Sequence, residues 1–184
     1  MFKHLRQMNF KDMDLAFVDL ETTGRDFEHE IMEIGLVRAS GFNFSLIDEW
    51  EVKVKPKHIE TADRESLKIA HYKEEDWKDA VELEDALKIF LKKTENTILV
   101  AHNLVFDWFY IHKALKDCGL TPAFWIKGLD TVSLAWLALR NNPKIKTLSF
   151  PELMRNFDID PGKLHSAMDD ARNTYKVFLK IMGK

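Results

Sequence analysis

An apolar segment near the start of the chain, FVDLETTG at residues 17–24, contains two acidic side chains. Its apolar flanks predict a buried β-strand, and side chains two residues apart lie on the same face of a strand. Asp19 and Glu21 therefore project two negative charges to one place, where they repel each other unless something offsets them. A bound divalent cation is the simplest such partner. The alternative is two acids at a strand end that are solvated or ion-paired.

The composition of the chain limits how it can bind an anionic ligand. Its 184 residues predict one domain, residues 1–184, and an apolar fraction of 46% is sufficient for a core. The net charge is −3 and the pI is about 6.2, which differs from the strongly basic balance of many nucleic-acid-binding proteins. Any anionic substrate must therefore be held by a local site rather than by the surface as a whole.

Cysteine usage and the first residues predict a cellular location. Cys118 is the only cysteine, which excludes an intramolecular disulfide and is typical of a reducing compartment. Residues 1–14 are polar and lack the apolar core of a signal peptide. No apolar run approaches the roughly 20 residues of a membrane helix. We therefore expect a soluble cytoplasmic protein without a membrane partner.

Hydrophobic patterning predicts an α/β fold around a mixed sheet. Residues 1–13 are either a short helix or an arm. Strands are predicted at 14–20, 31–39, 43–54, 97–101 and 128–130, the first three as a mainly antiparallel meander. Helices are predicted at 63–70, 80–93, 105–117, 131–140, 148–157 and 166–182. Strands followed by alternating strands and helices are typical of a mixed sheet with helices packed on it.

A second acidic motif, AHNLVFDWFYIH at residues 101–112, begins at the end of a predicted strand. Asn103 is a candidate N-cap of the following helix, and Asp107 lies in the early turns of that helix. The helix dipole favours an acid there, which is an alternative to a functional role. His102 fits either a site or ordinary packing, and Phe106 fits either base stacking or the core.

A third motif, HSAMDDARNT at residues 165–174, begins the last predicted helix. His165 precedes or caps this helix, and Asp169 and Asp170 lie in its first turns, where the helix dipole again favours acids. Taken together, the three motifs favour one site of carboxylate oxygens with a histidine left free. Such a site suits Mg²⁺ or Mn²⁺ better than Zn²⁺.

The three motifs resemble those of the DEDD superfamily of 3′–5′ exonucleases, in its histidine-containing DEDDh subgroup. These DnaQ-like proteins include the proofreading epsilon subunit of polymerase III, ribonuclease T and oligoribonuclease. The order and approximate separation of the motifs match over residues 14–180. The resemblance implies a ribonuclease H-like fold, with a five-stranded mixed sheet and helices on both faces. Residues 70–72, Ala-His-Tyr, stand where relatives often have Gly-Ile, a departure expected to lie outside the chemistry.

The resemblance also implies roles for individual residues. The metal ligands that it implies are Asp19, Glu21, Asp107 and Asp170. It implies that His165 is the general base, and the family's spacing selects Asp170 over Asp169. The substrate-binding residues that it implies are Leu20, Thr22, Thr23 and Gly24 near the 3′-terminal nucleotide, and His102, Asn103 and Phe106 at the rim of the cleft.

The activity implied by the resemblance is hydrolysis of phosphodiester bonds from the 3′ end of single-stranded nucleic acid, with release of nucleoside 5′-monophosphates. Two Mg²⁺ or Mn²⁺ ions would serve each site. Histidine, with an ordinary pKa of about 6.5, can accept a proton from water near neutral pH. We expect DNA as the substrate, in proofreading or repair, while a polymerase or repair partner and the oligomeric state stay open.

Three alternatives remain at this stage. The first is an exoribonuclease acting on RNA tails or short oligonucleotides, since discrimination at the 2′-hydroxyl is a matter of geometry. The second is a non-catalytic binding module of the same fold. The third is a metal-dependent phosphohydrolase that acts on nucleotides or other small phosphates.

Overall fold

The computed structural model of the protein describes residues 9–162 and 165–184. Its strands are β1 (Asp14–Thr22), β2 (Ile31–Ala39), β3 (Leu46–Lys53), β4 (Thr97–Ala101) and β5 (Trp125–Asp130). Its α-helices are α1 (Arg64–Ile69), α2 (Leu83–Lys93), α3 (Leu104–Asp117), α4 (Thr131–Leu139), α5 (Phe150–Asn156) and α6 (Ala167–Ile181). Within these described ranges, no helix has both the length and the apolar character needed to cross a lipid bilayer.

The predicted strands and helices are all found, with differences at their ends. Strand β1 continues to Thr22, so Glu21 lies inside it, and β3 begins at Leu46 because residues 41–43 form a turn. Strand β5 begins at Trp125 rather than at residue 128. Its first residues were missed because the sequence WIKGLD lacks the alternation that marks a half-buried strand. Of the predicted N-terminal arm, residues 1–8 lie outside the described residues, and Phe10–Asp12 form a 3-10 turn.

The strands form one mixed sheet in the order β3-β2-β1-β4-β5. Strand β1 is central, because it pairs antiparallel with β2 and parallel with β4. This confirms the five-stranded α/β prediction. Even-numbered residues of β1, such as Val18, pack in the cluster that contains α2 and α3, whereas Leu15 and Phe17 pack against α6. The odd-numbered Asp19 and Glu21 therefore project from the α6 side of the sheet.

Helix α6 approaches the sheet more closely than a side chain on β2 would allow. A Cβ atom on Gly35 would lie 2.0 Å from the carbonyl oxygen of Ala167, at the start of α6. Gly35 is also the β2 residue that pairs with Asp19. The absence of a side chain at Gly35 therefore brings the first turn of α6 beside the acids of β1.

We predict that Gly35→Ala lowers the free energy of unfolding by about 1–3 kcal/mol, because a backbone segment rather than a flexible side chain must move. Urea unfolding measures this loss, and hydrogen exchange should show faster exchange of the first-turn amides of α6. Ile34→Val, on the same strand, is the control: it should cost about 0.5–1.5 kcal/mol without changing exchange in α6. Wild-type stability in Gly35→Ala would contradict the prediction.

Candidate active site

Asp19 and Glu21 on β1 are partly buried acids surrounded by other acids. Burial, followed by the charges of Asp107, Asp170 and Glu21, raises the pKa of Asp19 well above its ordinary value. Burial, followed by the charges of Asp170 and Glu33, raises the pKa of Glu21 to about 7. The ionised carboxylates are therefore destabilised by their surroundings in the folded protein.

Asp107 reaches the same place from α3. It is only 3% exposed, and burial raises the pKa of its carboxyl well above the ordinary value. Hydrogen bonds from its own backbone N–H and from that of Leu20 oppose this rise without cancelling it. The bond from Leu20 joins the carboxylate on α3 directly to the strand that carries Asp19.

The start of α3 is held by an acid that the sequence analysis did not consider. Asn103 occupies the predicted N-cap position of α3 with a φ of 68°, but its side chain makes no capping bond. Instead, the N–H of Leu104 donates to Asp130 Oδ2 at 3.0 Å. Asp130 Oδ1 also accepts the N–H of Val132 at 2.7 Å, so one carboxylate caps both α3 and α4.

Asp170 and His165 lie at the start of α6. Asp170 is 8% exposed, and burial raises the pKa of its carboxyl. Its Oδ2 accepts the N–H of His165 at 3.2 Å, while its Oδ1 is buried and has no hydrogen-bond partner among the described residues. His165 is exposed, with a φ of 61°. Asp169, in contrast, forms an ion pair with Arg172 at 3.3 Å.

The predicted ligands from three elements are thus brought to one site. Potential ligand atoms of Glu21, His165 and Asp170 all lie within 4.8 Å of one another, and the charges of Asp107 and Asp170 act on Asp19. Crowded carboxylates and the unpaired buried oxygen of Asp170 fit a divalent cation that prefers oxygen ligands. The arrangement is typical of a metal-dependent hydrolase.

The turn after β1 is held by its own side chains. Thr22 Oγ1 donates to the carbonyl oxygen of Gly24 at 2.6 Å. Thr23 Oγ1 accepts the N–H of Glu30 at 2.9 Å and lies 3.3 Å from His29 Nδ1. A Cβ on Gly24 would lie 2.2 Å from the His29 ring. The hydroxyls of Thr22 and Thr23 therefore fix the shape of the turn. Both residues were predicted to lie near the 3′-terminal nucleotide.

Two predicted rim residues also have internal partners. His102 Nδ1 lies 3.0 Å from Thr131 Oγ1, and its ring centroid lies 4.7 Å from that of Phe150. Burial is the main cause that lowers the pKa of His102 and favours the neutral imidazole. Phe106 is half-buried, with its ring centroid 4.9 Å from that of Tyr110. Asn103 is exposed.

Glu33 is an additional acid beside the site. It pairs with Glu21 across β1 and β2 and is 7% exposed. It also lines a cavity of about 210 Å³ together with His71 and His165. His71, one of the residues 70–72 at which the sequence departs from its relatives, thus lines the same cavity as His165. A charged residue in the apolar run IMEIGLV was the available signal for Glu33, as it was for Asp19.

Comparison with known proteins gives the family. The family model described as Exonuclease (RNase_T) matches residues 16–178, so the chain belongs to this exonuclease family. A DNA polymerase III of the PolC type from Thermotoga maritima is 32% identical over 176 residues, covering 94% of this chain and 12% of that protein. The 3′-5′ exonuclease DinG of Staphylococcus haemolyticus is 30% identical over 179 residues, covering 92% of this chain and 18% of that protein. The chain thus spans a small part of the length of these relatives.

A solved structure has the same fold. The nuclease domain of 3′hExo, a DEDDh family member bound to rAMP, superposes with a TM-score of 0.76. The two chains are 16% identical, and the match covers 95% of this chain and 94% of the other. This likeness confirms the ribonuclease H-like exonuclease fold that the resemblance implied.

We predict that Glu21→Gln stabilises the metal-free protein at pH 8. The pKa of Glu21 is raised from 4.5 to about 7, so the folded protein binds this proton more tightly than the unfolded chain does. Stability from this group is full below pH 4.5 and is lost as the pH rises through 7. The gain in Glu21→Gln should be about 1–3 kcal/mol at pH 8 and clearly smaller at pH 5.

Thermal unfolding in EDTA at the two pH values measures this difference. Glu28→Gln, which removes an exposed acid from the following loop, is the control and should change stability little. A gain in Glu21→Gln that is the same at both pH values would contradict the assignment of a destabilised carboxylate.

Proposed function

We propose that the chain is a metal-dependent 3′–5′ exonuclease that removes nucleotides from the 3′ end of single-stranded DNA. The convergence of acids from β1, α3 and α6, with exposed His165 at their edge, carries the proposal. Membership of the exonuclease family and the 3′-5′ exonuclease DinG support the reaction, and the name of the polymerase relative supports DNA as the substrate. We also propose that residues 1–184 act as one domain, with the exonuclease motifs within residues 14–180.

The four acids of the motifs would hold the metal, most simply as two Mg²⁺ or Mn²⁺ ions: Asp19, Glu21, Asp107 and Asp170. Such ions would polarise the scissile phosphate and neutralise the charge that develops on the leaving 3′ oxygen. The imidazole of His165 would accept a proton from the attacking water. The bond from the His165 N–H to Asp170 Oδ2 ties the position of this base to that of a ligand.

The 3′-terminal nucleotide would lie between the turn after β1 and the start of α3. Half-buried Phe106 would supply apolar surface there together with the small exposed part of Leu20, and the turn at Thr22, Thr23 and Gly24 would supply a fixed backbone. Exposed Asn103 offers a free amide at the rim next to His102. Because the site itself is acidic, its affinity for a polyanion depends on the bound cations.

The decisive experiment is hydrolysis of 5′-labelled single-stranded DNA and RNA of one sequence, with Mg²⁺, with Mn²⁺ or with EDTA. We expect a ladder that shortens from the 3′ end in the presence of metal, and we expect Asp19→Ala to abolish it. Asp117→Ala removes an exposed acid from the same helix as Asp107 and should keep full activity. Faster cleavage of RNA would identify an exoribonuclease.

Cleavage of neither polymer by the wild type would overturn the proposal. Hydrolysis of mononucleotides or other small phosphate esters under the same conditions would then favour a small-molecule phosphohydrolase. Unchanged cleavage by Asp19→Ala would remove the proposed metal ligand from the mechanism.

We predict that His165→Ala lowers kcat by about 10²-fold or more, since it removes the proton acceptor. Metal binding should persist, measured as the rise in Tm that Mg²⁺ or Mn²⁺ produces, whereas Asp19→Ala should lose that rise. Full activity of His165→Ala would contradict the general-base role. Loss of the metal-induced rise in His165→Ala would instead assign this imidazole as a ligand.

A further inference from the structure

Aromatic side chains lead away from the proposed 3′-end site along α3. The aromatic strip consists of Phe106, Tyr110, Phe109 and Phe27, with neighbouring ring centroids 4.9, 5.2 and 4.8 Å apart. It begins at Phe106, beside the acids, and ends at Phe27, whose side chain is 74% exposed. Tyr110, at 2% exposed, is the buried support of the strip, and the rings that solvent reaches are those of half-buried Phe106 and Phe109 and of Phe27.

The loop that carries Phe27 is tied to α3. Tyr110 Oη lies 2.7 Å from the carbonyl oxygen of Gly24 and 2.9 Å from that of Asp26. Lys113 Nζ donates to the carbonyl oxygen of His29 at 3.1 Å. These bonds hold the loop on both sides of Phe27, so its ring is presented to solvent from a fixed segment.

Open space lies next to the strip. A groove of about 840 Å³ runs along α3, and its lining includes Phe109, Trp108, the two lysines Lys113 and Lys116, and two aspartates. An extended strand that leaves the proposed site along this helix would meet aromatic rings, while the lysines and aspartates of the groove balance in charge. Stacking of bases on aromatic rings is a feature of proteins that bind single strands without sequence preference.

We propose that the accessible outer rings of the aromatic strip, Phe27 and Phe109, bind the nucleotides that precede the 3′-terminal nucleotide of a single-stranded substrate. The occupant is single-stranded nucleic acid because the strip continues directly from the proposed cleft, and stacking on a ring tolerates any base. The exposed charges beside Phe27 are Arg25, Asp26 and Glu28, whose sum is negative and does not favour a phosphate, so the contact at this ring is with a base. This inference rests on the proposed function, since it uses the same 3′-end site.

Binding of 5′-fluorescein-labelled DNA, followed by fluorescence anisotropy with Mg²⁺ in the His165→Ala background, tests the proposal. Phe27→Ala should weaken binding of an octanucleotide roughly tenfold and leave a dinucleotide unaffected, whereas Phe27→Trp should bind as well as Phe27. Phe42→Ala is the matched control: Phe42 is 92% exposed at the other end of the sheet and should have no effect.

A series of octanucleotides, each with one abasic position, separates stacking from a general loss of structure. In the presence of Phe27, one abasic position should weaken binding about as much as Phe27→Ala does. In Phe27→Ala, the same abasic position should cause no further loss. If Phe27→Ala and the abasic position together weaken binding by the sum of their separate losses, the proposal is overturned, because the ring and that base then act independently.

The proposed exonuclease function and the proposed role of the aromatic strip can be contradicted separately. Unchanged octanucleotide binding by Phe27→Ala, or equal weakening of dinucleotide and octanucleotide, would overturn the strip even if the wild type cleaves DNA. A wild type that cleaves no polymer, with length-dependent loss in Phe27→Ala, would overturn the proposed function and support the strip as a binding surface. Unchanged binding by Phe27→Ala would leave an exposed ring for some other partner, such as a protein.

Discussion

The mutual repulsion of buried carboxylates is the constraint on which the rest of this structure depends. Asp107 and Asp170 are 3% and 8% exposed, and burial raises the pKa of each. Asp19 receives the charge of both and lies on the central strand of the sheet. The apolar core around these groups must offset their repulsion in the metal-free protein. A bound cation removes it, so folding stability and metal binding are coupled through the same atoms.

Backbone N–H groups contribute to holding two of these acids in place. The N–H of Leu20 bonds to the carboxylate of Asp107, and the N–H of His165 bonds to Asp170. Each such bond fixes a carboxylate while occupying only part of its capacity to accept, which leaves oxygen lone pairs available for a cation. Gly35 completes the arrangement, because the close approach of α6 to β2 requires the absence of a Cβ there.

Features that depend on local patterns could be predicted from the sequence. Asp19 and Glu21 share a strand face, and this follows from the two-residue period of any strand. Features that depend on distant contacts could not be predicted. The side-chain cap of α3 comes from Asp130, 26 residues from Leu104, whereas Asn103, at the predicted N-cap position, has a left-handed backbone and no side-chain capping bond. The hydrogen bond from Tyr110 to the carbonyl oxygen of Gly24 joins residues that are 86 positions apart, and local hydrophobic periodicity does not predict such a contact.

The same acidity that demands a cation also determines how a polyanion can bind. A chain with a net charge of −3 and a carboxylate cluster repels phosphates unless ions are present, so the cation would control access as well as chemistry. Affinity for the rest of the strand must then come from contacts that do not depend on net charge. Stacking on Phe27 and Phe109 would supply such affinity, and it would be present before the metal binds. Under these proposals, strand binding and catalytic competence are separable properties of neighbouring surfaces.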